Sequence, residues 1–553
     1  MNVDDLFVQL GQFGPFQFQQ YILLAFPIVF SAYQTITFLF TTSVPNFRCL
    51  VPECEDEYYT EFDEPWLNSA LPFKGRLPEQ CLRFKPLSDF TRNSSDMCSA
   101  YSLFDERDSI PCDRYVFTKD EVTIASEFEI VCEDNGWKLF IVVMNTYLGF
   151  IIGMPIAGII SDRIGRKTVM IYSWFLQSLI AIAQSFSRNY KTFLILQTMG
   201  ALCCGAYNAG FVMALETLGP ASRVLGNALI SCFHTLGQAN VGMTMWLWRD
   251  WRIMNRILYG PGLLLCPIYF WLVPESVRWL ISRGRSAEAM EVCRKIAGIN
   301  NRHLSTEFED NVRALAEVNI IVCRTIEEPP HPVVQNEEST DLSLATNNDN
   351  NGGNDAPHTI VEIATPKSRL PKILKSKILL LRLFYCVIVW SSVSMLFSAL
   401  SMKSVTISGN KYLNFILAVL VELPGYMASY VVMDTVDIGR RMYMSITVSL
   451  TALCCFLFFF IQQCECLQKW KIATFLTAKL SITSSFAVLY IYTSEMFPTE
   501  IRNSILGICS MAAHVGSVFA PITILLVSEI AKLTLIFYGI SVLSLLAIEH
   551  FIF

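Results

Sequence analysis

Two ionisable residues lie deep inside apolar segments, where a charge is costly and therefore marks a candidate functional site. Glu422 occurs in the run Val-Glu-Leu-Pro-Gly, and His514 occurs in Ala-Ala-His-Val-Gly. A carboxylate at position 422 could neutralise an ammonium group, or it could bond the backbone that Pro424 leaves open. Histidine changes its charge near neutral pH. His514 could therefore bind a carboxylate, accept a hydrogen bond from an amine, sense protons, or be a neutral hydrogen-bonded residue.

Aromatic residues recur at helical spacing in three other apolar segments. The pairs are Tyr207 with Phe211, Trp390 with Phe397, and Phe486 with Tyr490. Residues four or seven apart share one face of a helix, and aromatic faces attract alkylammonium or planar cations by about 0.5–2 kcal/mol each. Packing is the simpler explanation for any single ring, but three pairs together predict a cavity. Gln238 is a weaker polar candidate for the same cavity.

The composition shows what kind of molecule must position these residues. The chain has 553 residues, of which 53% are hydrophobic and 16% charged, with a mean hydropathy of +0.42. Soluble domains carry about 25% charged residues, so the composition excludes an ordinary cytosolic enzyme and predicts a protein that crosses the lipid bilayer several times. The net charge of −6 argues against nucleic acid as a partner.

Twelve segments are long and apolar enough to span a membrane as helices. They are 18–44, 138–160, 168–187, 192–215, 223–248, 253–273, 377–400, 411–433, 442–462, 470–494, 504–528 and 531–551. A polar segment at 274–376 separates the first six from the last six. The layout predicts an all-α membrane protein of two six-helix halves, 18–273 and 377–553, with a substrate site between them.

The basic residues of the short loops predict the orientation of the chain. Arg163, Arg166 and Lys167 follow the second span, and a second basic pair, Arg440 with Arg441, precedes the ninth. Basic loops stay in the cytoplasm. Both termini, including residues 1–17, and the 274–376 loop should then be cytoplasmic in a plasma-membrane protein. Short amphipathic helices are expected at 286–320, and a disordered tether at 325–366.

The loop at 46–137 is then extracellular, and it contains six cysteines. These are Cys49, Cys54, Cys81, Cys98, Cys112 and Cys132. An even number of cysteines in an oxidising compartment predicts three disulfides, whose pairing the sequence leaves open. Asn93 begins an Asn-Ser-Ser glycosylation sequon in the same loop. The chain shows neither an ATP-binding Gly-rich loop nor a metalloprotease or hydrolase motif, which predicts a protein that is not an enzyme and has no cofactor or metal.

Several motifs occur in order along the chain. The segment 158–167, Gly-x3-Asp-Arg-x-Gly-Arg-Lys, resembles the loop signature of the major facilitator superfamily. Narrower matches are Gly-Gln-Phe-Gly-Pro-Phe-Gln at 11–17, Asp-Trp-Arg at 250–252, Pro-Glu-Ser-Val-Arg-Trp-Leu at 274–280, and Glu-x2-Pro-Thr-x2-Arg-Asn at 495–503. With the six-cysteine loop, the chain resembles the organic cation/anion/carnitine transporter family. The resemblance implies the major facilitator fold and a carrier of small organic ions that works by alternating access.

The resemblance also implies roles for residues. Glu422 corresponds to a glutamate of cation carriers, whereas His514 replaces an Asp of cation carriers or an Arg of anion and carnitine carriers. Organic cations or amine-bearing zwitterions are therefore the expected substrates. An anion or carnitine-type carrier, or a receptor or scaffold without transport activity, are the alternatives. The expected gating residues are Gly158, Asp162, Arg163, Gly165, Arg166, Glu216, Arg278, Gly439, Arg440, Glu495 and Arg502. The second copy of the loop signature, at 434–441, lacks the usual first Arg.

Overall fold

The structure is a computed structural model. It describes residues 3–55, 61–74, 77–87, 104–327, 377–407, 409–435, 438–462, 468–497 and 502–526. The last predicted span at 531–551, most of the predicted tether, Asn93 and Cys98 lie outside the described residues.

The first half begins with a short helix before its spans. Its helices are α1 (Val3–Leu10), α2 (Pro15–Thr41), α3 (Leu67–Ala70), α4 (Ile124–Glu127), α5 (Cys132–Asn135), α6 (Trp137–Ile164), α7 (Arg166–Gln184), α8 (Tyr190–Leu202), α9 (Gly205–Glu216), α10 (Arg223–Trp248) and α11 (Trp251–Leu272). A 3-10 turn at Pro220–Ser222 precedes α10. The first span begins at Pro15 rather than at residue 18, because proline is favoured in the first turn of a helix.

The segment between α2 and α6 forms three two-stranded antiparallel sheets. Its strands are β1 (Phe47–Cys49), β2 (Phe73–Lys74), β3 (Leu77–Pro78), β4 (Leu82–Pro86), β5 (Phe104–Pro111) and β6 (Tyr115–Phe117), paired β1 with β6, β2 with β3 and β4 with β5. We call residues 46–137 the disulfide segment, and the end of the molecule that carries it the disulfide end. The opposite end, which carries the loop signature, is the motif end.

Three helices follow the first half, and six belong to the second. They are α12 (Val277–Ser282), α13 (Ser286–Ile299), α14 (Thr306–Glu327), α15 (Lys377–Lys403), α16 (Lys411–Leu420), α17 (Glu422–Thr435), α18 (Arg440–Gln462), α19 (Gln468–Met496) and α20 (Arg502–Leu526). A 3-10 turn at Ser404–Thr406 follows α15. The amphipathic pattern at 286–320 thus corresponds to α13 and α14, which pack with α1 and α12 in one apolar cluster.

Eleven of the twelve predicted spans coincide with helices in the part of the chain that the structure describes. Seven of the helical stretches there are long and apolar enough to cross a membrane. Two spans consist of two helices each, α8 with α9 and α16 with α17. The second break falls at Val421, three residues before Pro424, because proline lacks the amide that would bond back to the preceding turn.

The two halves meet along α6 with α20, and along α10 with α16 and α17. At the disulfide end, the rings of Phe40 and Phe415 approach edge to face with centroids 4.9 Å apart. A Cβ atom at Gly242 would lie 2.6 Å from the Phe415 ring, so only glycine permits this approach. Glu121 of the disulfide segment also forms an ion pair with Lys411 of the second half. The halves are therefore closed against each other at the disulfide end.

Candidate functional site

A cavity of ≈ 230 Å³ lies between the two halves. Helices α2, α6, α7, α9 and α10 line it from the first half, and α15, α17, α19 and α20 line it from the second. An interface between two packed bodies is where small-molecule sites usually form.

Aromatic rings from both halves form much of the cavity wall. Five of the six aromatic residues predicted from sequence line it: Tyr207, Phe211, Phe397, Phe486 and Tyr490. The Tyr207 and Phe211 rings stack with centroids 5.9 Å apart. Phe486 stacks on Phe397 at 5.7 Å and meets Tyr490 edge to face at 5.5 Å. Within each of the pairs Tyr207–Phe211 and Phe486–Tyr490, both rings therefore face the cavity from one side of their helix.

Trp390 is a correction to the predicted set, because it is fully buried behind the wall rather than in it. Its indole nitrogen donates a hydrogen bond of 2.9 Å to Thr493 Oγ1. Its ring lies 4.5 Å from Tyr490 and 6.1 Å from Phe486, centroid to centroid. Trp390 therefore packs against two lining rings and does not itself line the cavity.

Glu422 is the second correction, since it is 1% exposed and does not line the cavity. Its Oε1 lies 2.9 Å from Nζ of Lys479, whose side chain is also fully buried. Thr235 of the other half donates a hydrogen bond of 3.4 Å to Oε2. The carboxylate therefore pairs with a lysine of its own half and accepts a hydrogen bond across the interface, and it does not line the cavity.

Lys479 was missed in the sequence, although the signal was present. It is a lysine inside the apolar segment 470–494, and an ionisable residue in a span is a functional candidate by default. Its Nζ donates a hydrogen bond of 2.6 Å to Ser401 Oγ and lies 3.4 Å from the centroid of the Phe397 ring. Ser401 and Phe397 both line the cavity. The Glu422–Lys479 pair thus stands directly behind the wall, where its two charges compensate each other.

Among the described residues, no Asp, Glu, Lys or Arg side chain lines the cavity. Two histidines, His234 and His514, lie among the described lining residues. The remaining polar lining is made of hydroxyl and amide groups, such as Ser398, Asn208 and Gln238. The wall therefore carries no fixed net charge in the described part of the chain.

The two histidines face the cavity from opposite halves. His514 Nε2 lies 3.1 Å from Met154 Sδ, and its ring is 5.7 Å from that of Phe150. His234 lies 5.1 Å from the Tyr207 ring, and its Nδ1 is 3.4 Å from Gln238 Nε2. His234 was not predicted, but it lies one helical turn before Gln238, and that spacing could have indicated it.

The motif end of the first half is held by charges at helix ends. Arg166 lies 2.9 Å from Asp162 and 3.4 Å from Glu216, which also accepts a hydrogen bond from the Ser276 hydroxyl. Gly165 has φ +110°, which a residue with a side chain rarely adopts. The carboxylate of Glu275 accepts from the backbone amides of Arg166 and Lys167, each at 3.1 Å, and so satisfies the free amides that begin α7.

Two other signature residues behave differently. A Cβ atom at Gly158 would meet no atom of the described residues within 4 Å, so no close helix approach depends on this glycine there. Arg163 is exposed. Arg278 instead forms an ion pair of 2.6 Å with Asp4 of α1 and donates to the backbone oxygen of Glu216.

In the second half, Arg440 pairs with Glu495 at 2.7 Å. Gly439 precedes α18, and no atom of the described residues lies within 4 Å of where its Cβ would be. Arg502 begins α20, and its side chain lies outside the described residues. In the described residues, the pair Arg440–Glu495 is thus a charge contact between neighbouring helix ends of the second half, like Arg166–Glu216 in the first.

In the disulfide segment, Cys49 is bonded to Cys112 and Cys81 to Cys132. Cys54 is also disulfide-bonded. Five of the six predicted disulfide cysteines are therefore bonded, and the sixth, Cys98, lies outside the described residues.

A helical membrane protein of two packed halves with a cavity between them is the architecture of a carrier. The chain belongs to the Major Facilitator Superfamily, whose family model matches residues 121–476 and 416–553. The predicted fold class and the predicted transmembrane carrier are thereby confirmed. The family and fold are those of transporters, not of enzymes.

Among known proteins, the chain is 27% identical over 533 residues to organic cation/carnitine transporter 2 of Homo sapiens, covering 94% of this chain and 86% of that protein. It is also 27% identical over 531 residues to the organic cation transporter protein of Drosophila melanogaster, with the same coverage of each chain. Both similarities extend over nearly the whole chain.

Among solved structures, the chain resembles the xylose transporter XylE from E. coli in a partially occluded inward-open conformation. The TM-score is 0.58 at 14% sequence identity, covering 97% of this chain and 98% of that one. XylE bound to 6-bromo-6-deoxy-D-glucose gives a TM-score of 0.55 at 17% identity, over 76% of this chain and 88% of that one. At these identities the likeness concerns the fold alone.

Proposed function

We propose that this carrier moves small organic ions that bear an amine, either organic cations or zwitterions. The observation that carries the proposal is the cavity between the halves, to which each half contributes a group of aromatic rings. Such rings attract an ammonium group by about 0.5–2 kcal/mol each, more when the site is desolvated. The similarity to transporters named for organic cations supports the same substrate class.

The charge balance of the wall favours substrates of low net charge. Glu422 lies close to the cavity, but Lys479 compensates its charge at 2.9 Å. An ammonium group would therefore be held by ring faces and hydrogen bonds, without a free carboxylate. A zwitterion fits such a wall because it brings no unbalanced charge into a buried site.

The second candidate is a carrier of organic anions or of carnitine-type substrates. It is favoured by the lack of an acidic side chain among the described lining residues, since nothing there repels a carboxylate. The described lining residues also include no Lys or Arg. This counts against the second candidate, because a carboxylate substrate would find no fixed positive charge in the cavity wall.

Uptake into liposomes that contain the purified protein separates the two candidates. The probes are labelled β-phenylethylamine and labelled 3-phenylpropanoate, which share a phenyl body and differ in charge. The proposal predicts saturable uptake of the amine, reduced by Tyr207→Leu, since Tyr207 lines the cavity. Trp271→Leu is the matched control, because Trp271 is 79% exposed on the outer surface. Uptake of 3-phenylpropanoate alone would contradict the proposal.

The residues of the motif end would form the hinge and gate of alternating access. In the first half, Arg166 links Asp162 to Glu216, and in the second half Arg440 links to Glu495. Charge pairs between neighbouring helix ends can hold each half rigid while the halves rock about the central site. Breaking such a pair is expected to change the rate of transport more than the affinity for substrate.

The basic motif end would face the cytoplasm, with both termini on that side and the protein in the plasma membrane. The disulfide segment would then be extracellular, with Asn93 glycosylated, and disulfide bonds are typical of that compartment. Cysteine accessibility at Ser94 and at His303, measured on intact cells with an impermeant reagent, tests this orientation. The opposite labelling pattern, with His303→Cys modified and Ser94→Cys protected, would contradict it.

A further inference from the structure

His234 is a cavity residue that no motif of the sequence assigns. It lies on α10 of the first half and lines the cavity beside Tyr207, whose ring centroid is 5.1 Å away at an interplanar angle of 65°. Its Nδ1 faces Gln238 Nε2 at 3.4 Å, one helical turn further along the same face.

This contact determines which ring nitrogen carries the proton. An amide nitrogen can only donate, so Nδ1 of His234 must accept from Gln238. In a neutral imidazole the proton then lies on the other nitrogen, Nε2. The described residues include no acceptor for that N–H group. The ring therefore offers a hydrogen-bond donor at the cavity wall.

His514 belongs to the opposite half, and its free ring nitrogen is a hydrogen-bond acceptor rather than a donor. Its Nε2 lies 3.1 Å from Met154 Sδ. A thioether sulfur can only accept, so Nε2 carries the proton and donates to the sulfur. The nitrogen Nδ1 is left as an acceptor, and among the described residues none donates to it. The two histidines thus offer one donor and one acceptor across an aromatic cavity.

We propose that His234 is a specificity-determining residue, held as a donor by Gln238, and that together with His514 it selects amine-bearing zwitterions. The carboxylate of the substrate accepts from His234 Nε2, and its ammonium N–H donates to His514 Nδ1. The expected substrates therefore carry an ammonium group and a carboxylate, with an apolar body between these two groups or beside them. The inference rests on the proposed function and narrows it.

Four probes on one phenyl body separate the two contacts: phenylalanine, its N,N,N-trimethyl derivative, β-phenylethylamine and 3-phenylpropanoate. We expect phenylalanine to have the lowest KM for uptake into liposomes. The trimethyl derivative keeps both charges but has no ammonium N–H to donate, so its KM should be higher. β-phenylethylamine lacks the acceptor for His234, and its KM should also be higher than that of phenylalanine.

The decisive variant is His234→Phe, which keeps a ring beside Tyr207 but removes the donor. We expect the KM for phenylalanine to rise by about tenfold, the usual effect of losing a hydrogen bond to a charged group. The KM for β-phenylethylamine should change by less than about twofold, because that probe makes no bond to His234. His234→Gln restores a donor and should recover part of the loss. His303→Phe is the matched control, since His303 is exposed and outside the cavity.

The outcomes are distinguishable. An equal loss for both amines in His234→Phe would mean a merely structural role and would overturn the inference. Uptake of β-phenylethylamine without uptake of phenylalanine would also overturn it, while leaving the proposed function intact. Uptake of neither amine by the wild type would refute both. A loss confined to phenylalanine, with recovery in His234→Gln, supports the donor role.

Discussion

Removing the charge of Glu422 should destabilise the protein, and removing the charge of Lys479 as well should restore it. The two groups lie 2.9 Å apart with side chains 1% and 0% exposed. At this distance and an effective dielectric constant of about 20, their attraction is about 6 kcal/mol. Much of that attraction offsets the cost of removing both charges from water, so a buried pair is close to neutral in net stability.

The single variants Glu422→Gln and Lys479→Met each leave one buried charge without its partner. Each should lose about 3–5 kcal/mol, whereas the double variant should return to within about 1 kcal/mol of the wild type. Thermal unfolding in detergent, followed with all four proteins side by side, measures the ranking. The exposed pair Arg440–Glu495 is the matched control, and its variants Arg440→Met and Glu495→Gln should each change stability by less than about 1 kcal/mol.

Transport by the same variants tests whether Glu422 contacts the substrate. Because neither member of the pair lines the cavity, the double variant should still take up β-phenylethylamine. The opposite result would be a Glu422→Gln variant that is as stable as the wild type but does not transport the amine, and whose transport is not restored by adding Lys479→Met. In that case Glu422 would be a direct ligand for the amine, as the sequence alone suggested.

Three further predictions concern other parts of the molecule. Gly165→Ala should lower stability by about 1–3 kcal/mol, because φ is +110° and the new Cβ would meet the carboxylate of Glu275; Gly158→Ala, whose Cβ meets nothing within 4 Å, should not lower stability in the same thermal assay. Burial raises the pKa of Asp4, but hydrogen bonds and charges from two arginines lower it more, to below 3.8. The ionised Asp4 therefore stabilises the docking of α1 at any pH above about 3.8, and this stabilisation is lost as the pH falls through the lowered pKa of Asp4. Amide hydrogen exchange in α1 should become faster at such low pH. In Asp4→Asn it should already be fast at neutral pH. Phe486→Leu should raise the KM for β-phenylethylamine about fivefold, the effect of losing roughly 1 kcal/mol of ring attraction.

The helices were predictable because an apolar run of about 20 residues has few alternatives in a membrane. The aromatic pairs were predictable for a related reason, since residues four apart share a face whatever the tertiary packing. Trp390 shows where this stops. It shares a face with Phe397, but Tyr490 and Phe486 from another helix stand in front of it. Sequence periodicity predicts which face of a helix a residue lies on, but it does not predict whether side chains of a neighbouring helix cover that residue.

The charge of the site was not predictable from Glu422 alone. Its partner Lys479 lies 57 residues further along the chain by number, on a different helix, and only the packing of α17 against α19 brings the two together. At Gly165 the turn and the pair Asp162–Arg166 are local in sequence, whereas Glu216 and Glu275 come from distant helix ends. Long-range pairing therefore decided the electrostatics of the site and most of the motif-end contacts, while local patterns gave the helices and the turn at Gly165.

The two halves carry a substrate between them by alternating access. Counterflow in liposomes tests it most directly, with unlabelled β-phenylethylamine inside and a trace of the labelled amine outside. Unlabelled amine inside competes with the label for the inward-facing site and so delays its efflux, and the label should therefore accumulate transiently above its equilibrium level. Binding of the amine without flux, as expected of a receptor or scaffold, or flux that shows no such overshoot, would contradict the account.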